Sequence, residues 1–137
     1  MLQYPKLREY LKKSSEKSFC SENVDFYEAI LEFKTLKKQE DRNKKAVEIY
    51  YRFLELGAIN EVNLSESQKR ALHQSLENNP SKSVFDSIDY EIQNMIKTEN
   101  YYRFIHSEED FGKMLEENEN IIFITRSDSM KRTSSNF

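Results

Sequence analysis

CSENVDFYEAILEFK, running from Cys20 to Lys34, decides the fold. Its apolar side chains Val24, Phe26, Tyr27, Ile30, Leu31 and Phe33 recur at three- and four-residue spacings, the period of a helix. They cover more than half of the circumference, which predicts a helix from near Ser21 to about Lys38 that is central to the core. The polar pair Glu22 and Asn23 stands at its entrance. A glutamate there suits the positive end of the helix dipole, so first-turn chemistry accounts for the pair unless another part of the chain gives it a second use.

Outward from this helix the pattern stays helical. Upstream, Leu7, Tyr10 and Leu11 form a short apolar stripe, followed by the polar stretch KKSSEKS. Downstream, KKQEDRNKK reads as a solvated connection, and a third helix carries Ala46, Ile49, Tyr50, Phe53 and Leu54 on one face. Gly57 falls where a left-handed C-terminal cap belongs. After the loop GAINEVN, Ser65 and Gln68 make a capping box for a fourth helix with Ala71, Leu72 and Leu76, and NNP at Asn78 to Pro80 ends it. Ser83 is expected to cap a fifth helix, with Asp86 in its first turn and Phe85, Ile88, Ile92 and Met95 on its buried face.

TEN at Thr98 to Asn100 weakens that helix before YYRFI resumes apolar character. A further short helix, Ser107 to about Glu117, carries Phe111, Met114 and Leu115. Phe26, Phe33, Tyr50, Phe53, Phe85, Tyr101 and Phe104 read as core. The chain closes with the run IIFI and the Ser/Thr-rich tail TRSDSMKRTSSNF. The expectation is an all-α bundle of about seven to nine helices.

The bulk numbers agree. At 137 residues the chain holds one domain with room for a real core. Only 2 glycines and 2 prolines leave too little punctuation for an all-β fold. The 21 basic and 24 acidic residues give a net charge of −3, which argues against nucleic acid as a partner. The single cysteine, Cys20, forms no internal disulfide and builds no Cys-rich zinc module. No apolar run approaches the roughly 18 residues of a membrane-spanning helix, and MLQYPKLREYLKK lacks the apolar centre of a secretory signal. These features point to a cytoplasmic or membrane-peripheral domain.

Enzymatic readings find little support. His73 and His106 have no histidine or carboxylate at metal-ligand spacing, and no glycine-rich loop is available to cradle a phosphate. No cationic neighbour in sequence activates Cys20. No catalytic centre, metal or cofactor is expected.

Three polar stretches take on a joint meaning. CSENVDFYEAILEFK resembles a SEEN-[IV]-x-F-[WY] entrance to a long core helix. IYYRFLELGAINEVNL, Ile49 to Leu64, resembles an IYxxF…A…VNL segment. VFDSIDYEIQNMIKTENYYRFIHS, Val84 to Ser107, resembles FD-x-x-Q-x-x-I…[DE]-[SN]-Y-x-R-F-[LI]-x-S. In this order, over Leu7 to Ser107, they resemble the RGS family, the regulators of G-protein signalling. The resemblance implies an RGS domain over residues 1–118 and a C-terminal extension over 119–137.

It further implies a GTPase-activating protein for the GTP-bound Gα subunit of a heterotrimeric G protein. That protein has no hydrolytic centre of its own, acts as a monomer, and is recruited to the inner face of the plasma membrane. Loops at one end of the bundle would grip the switch regions of Gα. Cys20, Glu22 and Asn23 would form the first contact, Glu61 and Asn63 the second, and Met95, Glu99, Asn100 and Arg103 the third. Asn63 would reach between the switches, and Glu99 would pair with Arg103. So the polar pair at the helix entrance would serve a partner as well as the helix.

The sequence departs from the pattern in several places. Glu99 stands where Asp is usual, Asn100 where Ser is common, Cys20 where Ser is frequent, and Tyr27 where Trp is frequent. The stretch before Leu7 is short, and KKSSEKSF is longer than the matching loop. The rival implication is an RGS-homology interaction module, as in Rho guanine-nucleotide exchange factors, scaffolds or sorting proteins, that binds activated Gα or another partner without accelerating hydrolysis.

Overall fold

A computed structural model of the chain describes residues 2–17 and 20–117. Among these residues the structure is all helical, with turns and loops and no strand. The helices are α1 (Pro5–Lys17), α2 (Glu22–Thr35), α3 (Gln39–Ile49), α4 (Glu66–Glu77), α5 (Asp89–Met95), α6 (Tyr102–Ile105) and α7 (Glu108–Glu117). A π-helical turn, Tyr50–Leu54, continues α3, and another, Ile96–Tyr101, joins α5 to α6. The continuous helical segments therefore number six among the described residues, slightly below the seven to nine expected. The widened turn at Ile96–Tyr101 lets α5 run on into α6. TEN at 98–100, expected to weaken the helix, lies within that turn.

The chain divides into two compact units, Glu22–Ile96 and the two flanking segments. In the first, α2 buries Val24, Phe26, Ala29, Ile30 and Phe33. Phe26 meets Phe53 at 5.2 Å and Phe85 edge-on at 6.3 Å, and Phe33 meets Phe85 edge-on at 5.2 Å. Such tilted and T-shaped pairs suit the ring quadrupoles. Ile49, Leu54, Leu72, Ile88, Ile92 and Ile96 complete this core. Tyr50, read as core, is only half-buried and stacks on His73 at 4.4 Å. Its hydroxyl end is polar, so a rim position keeps it wet.

Helix α2 stops at Thr35, three residues before the expected end. Thr35 Oγ1 donates to the Glu32 carbonyl at 2.6 Å, and Leu36 N–H bonds the Phe33 carbonyl at 3.2 Å. KKQEDRNKK is mostly helix, not a connection, because α3 begins at Gln39. Arg42 supplies what the polar pattern did not announce. Its Nη1 donates to the Leu36 and Lys37 carbonyls, each at 3.1 Å, satisfying acceptors that the end of α2 leaves open.

Gly57 adopts φ +81°, the left-handed turn expected there. The Ser65–Gln68 capping box forms, and α4 ends at NNP, where Asn79 takes φ +46°. Ser83 does not cap α5. Its hydroxyl meets Ser81 Oγ at 3.0 Å, and its carbonyl accepts Asp86 N–H in a tight 3₁₀ turn, Asp86–Ile88, that delays α5 to Asp89.

In the flanking unit, α1 begins with proline, which suits a first helical position. It then runs through KKSSEK, the stretch whose polar residues matched a family loop in the sequence. Leu7, Leu11, Ser14 and Ser15 share its buried face. Ser14 Oγ donates to Asp110 on α7 at 2.8 Å, Lys17 Nζ reaches the same carboxylate at 2.8 Å, and Tyr10 donates to Glu117. The serines are thus buried with partners, which is why the helix tolerates them. Phe104 meets Phe111 edge-on at 5.9 Å, and Met114 of α7 is fully buried. The boundary at 118, the run IIFI and the tail lie outside the described residues.

Candidate protein-binding surface

Glu22 and Asp25 occupy the first turn of α2, where their charge suits the dipole. Glu22 is half-buried and Asn23 is 1% exposed, so the pair divides between the rim and the interior. Asp25 faces Arg52 at 3.8 Å. Arg52 Nε also donates to Asn60 Oδ1 at 3.2 Å, and its carbonyl accepts Asn60 N–H at 3.1 Å. Arg52 therefore links the start of α2 to the loop that carries Glu61 and Asn63.

That loop is built to hold one residue outward. Val62 is 1% exposed and Leu64 is 7% exposed, while Asn63 between them is exposed. Val62 N–H bonds the Phe53 carbonyl at 3.0 Å, fixing the loop to the end of the π turn. Leu64 N–H closes a tight turn onto the Val62 carbonyl at 3.0 Å, and Asn63 stands at its apex between the two buried anchors. Glu61 accepts from Lys69 Nζ at 2.5 Å and from Gly57 N–H at 3.0 Å. The Lys69 bond first, and the Gly57 bond second, hold its carboxyl below the ordinary range. A cleft of about 580 Å³ opens beside Asn63, lined by Tyr50, Leu54, Leu64, Arg70 and His73 among others. Met95, at the end of α5, is half-buried.

The flanking unit brings Cys20, Asn100 and Arg103 together. Arg103 Nη1 lies 3.5 Å from Cys20 Sγ. This puts the thiol within hydrogen-bond reach of the guanidinium. Glu99 is exposed on the π turn. Asn100 is 2% exposed and donates to Ser15 Oγ and to the Cys20 carbonyl, each at 2.8 Å.

Sequence reasoning missed Ser15, Arg52 and Lys69, whose partners lie elsewhere along the chain. A signal for Ser15 existed, since it falls four residues after Leu11 on the same helix face. Cys20 acquires a cation 83 positions away, which no local reading finds. No group of three His, Cys, Asp or Glu side chains gathers as metal ligands among the described residues. No described helix is long and apolar enough to cross a membrane.

Among the described residues the chain is all helical, and its loop at 61–64 turns the polar side chain of Asn63 outward between two buried ones. Residues 1–109 match the family model of the Regulator of G protein signaling domain, and the chain belongs to that family. It is similar to human Regulator of G-protein signaling 10, with 35% identity over 103 residues, 75% of this chain and 54% of that protein. The mouse Regulator of G-protein signaling 10 gives 36% identity over the same length and shares. Regulator of G-protein signaling rgs-6 of Caenorhabditis elegans is 26% identical over 104 residues, 75% of this chain and 14% of that protein. The chain spans about half the length of the mammalian relatives.

Proposed function

We propose that this chain accelerates GTP hydrolysis by the GTP-bound Gα subunit of a heterotrimeric G protein, ending its signal. The observation that carries the reading is Asn63, exposed between the buried anchors Val62 and Leu64. A side chain held outward by its own backbone meets a partner with little further loss of conformational freedom. Its amide donates to one group and accepts from another, which suits two switch loops at once.

The chemistry asked of the chain is modest. Gα carries its own arginine, glutamine and magnesium, so no general base is needed from the activator. The switch loops are mobile, and only part of their ensemble matches the transition state. A protein that binds that arrangement better than the ground state lowers the barrier, and about 1.4 kcal/mol of preference gives about tenfold in rate. In this reading Cys20, Glu22 and Asn23 serve the first contact, Glu61 and Asn63 the second, and Met95, Glu99, Asn100 and Arg103 the third. Asn23 and Asn100 act from within, since both are buried. Engagement of Gα would bring the chain to the inner face of the plasma membrane.

The test is single-turnover hydrolysis across a panel of GTP-loaded Gα subunits, with binding to the activated and GDP forms measured alongside. Acceleration by substoichiometric chain is expected for at least one subclass. Binding to activated Gα without acceleration would establish the rival interaction module instead. Neither effect on any subunit would remove the G-protein reading.

A further inference from the structure

Asn100 lies too deep in its unit to offer its side chain to a partner, at 2% exposure. Both hydrogens of its Nδ2 group are engaged internally. One goes to Ser15 Oγ and the other to the Cys20 carbonyl, each at 2.8 Å. Ser15 Oγ uses its own hydrogen on the Leu11 carbonyl at 2.8 Å, which leaves its lone pairs for Asn100. The Ser15 carbonyl accepts the Cys20 amide at 2.9 Å. Cys20 is therefore tied through both its N–H and its C=O, and its Sγ is the group beside Arg103.

The residue type fits the task closely. A primary amide presents two N–H donors on one nitrogen. Serine has one donor, aspartate has acceptors only, and glutamine carries its nitrogen one methylene further out. The widened turn at Ile96–Tyr101 brings this amide inside the helix bundle of its unit.

We propose that Asn100 is a positioning residue that holds Cys20, and through Cys20 the Arg103 guanidinium, in the geometry the Gα surface requires. The inference rests on the Gα reading for its partner, while the tie between Asn100, Ser15 and Cys20 is tested in the free protein.

Asn100→Asp, Asn100→Ala, Ser15→Ala and the double variant Asn100→Ala with Ser15→Ala are compared in two assays. One is amide hydrogen exchange at Cys20. The other is single-turnover kinetics, read as half-saturating concentration and maximal rate on the Gα that the wild-type chain accelerates. Asn100→Ala and Asn100→Asp are expected to speed Cys20 exchange about tenfold. Each should also raise the half-saturating concentration about tenfold at near wild-type maximal rate, because binding restores the lost order. Ser15→Ala removes a hydroxyl that is only 3% exposed and cannot touch a partner. It should nevertheless move both readouts in the same direction by about threefold, and add little to Asn100→Ala.

Unchanged Cys20 exchange in the Asn100 variants overturns the proposal. So does a silent Ser15→Ala, or effects that simply add. Should Asn100→Ala and Asn100→Asp fail to fold, Asn100→Ser keeps one donor and carries the same comparison, with an expected smaller shift in both readouts. If the wild-type chain accelerates no Gα, the partner half of the proposal fails, and exchange at Cys20 still decides the local tie.

Discussion

Replacing Asn63 with alanine separates the loss of a contact from the loss of a fold. The side chain is exposed, and its neighbours Val62 and Leu64 supply the burial that anchors the loop. Truncating it opens no cavity, so the unfolding free energy is expected to change by no more than about 0.5 kcal/mol. On the activated Gα the same amide would meet charged or strongly polar groups. Hydrogen bonds of that kind are worth about 1.5–3 kcal/mol, which converts to a loss of roughly tenfold to a hundredfold or somewhat more in stimulated rate. Val62→Ala supplies the opposite signature. It removes methyls that are 1% exposed, costing about 1–3 kcal/mol of stability with a smaller effect on rate at temperatures where the domain stays folded. The assays are denaturant unfolding and single-turnover hydrolysis on the same preparations. Loss of rate in Asn63→Ala that tracks an equal loss of stability would refute the reasoning. An unchanged rate would refute it as well.

Other outcomes follow from the same geometry. Asp110 is held below its ordinary value near 3.8, first by the Lys17 hydrogen bond and with help from Ser14. A depressed folded pKa stabilises above the unfolded value and loses that contribution as pH falls through the folded one. The stability difference between wild type and Asp110→Asn should therefore be full at neutral pH and shrink below about pH 4, as read by urea midpoints across pH. Gly57→Ala meets no atom within 4 Å, so its cost is that of φ +81° alone, about 1–2 kcal/mol in unfolding free energy. Lys69→Met frees Glu61 from its stronger bond and should raise the half-saturating Gα concentration about threefold, with an effect that added salt does not reproduce in the variant.

Much of the fold was legible locally. Val24, Phe26, Ile30 and Phe33 announced α2 because burial on one side imposes a 3.6-residue period that any window of the chain displays. The Ser65–Gln68 box and the turn at Gly57 were legible for a similar reason, since a cap or a positive φ is decided within four residues. KKSSEK and QEDRNKK were not, since their charged residues look like linker until Asp110 and Arg42 are seen to satisfy them or their neighbours. Helix starts proved elastic for the same cause. A 3₁₀ turn at Asp86 displaced the cap that Ser83 seemed to offer.

The candidate surface divides along the same line. Helical class, family motifs and the residue types at each proposed contact are readable along the chain, because period, capping and motif order are properties of neighbours in sequence. Which of those residues face out, and which hold others in place, is set by packing. Asn63 is exposed because Val62 and Leu64 are drawn into the core. Asn100 is enclosed because Ser15 and Cys20 offer acceptors for both hydrogens of its amide. Burial and hydrogen-bond satisfaction depend on groups that are distant in sequence and adjacent only once the chain has folded.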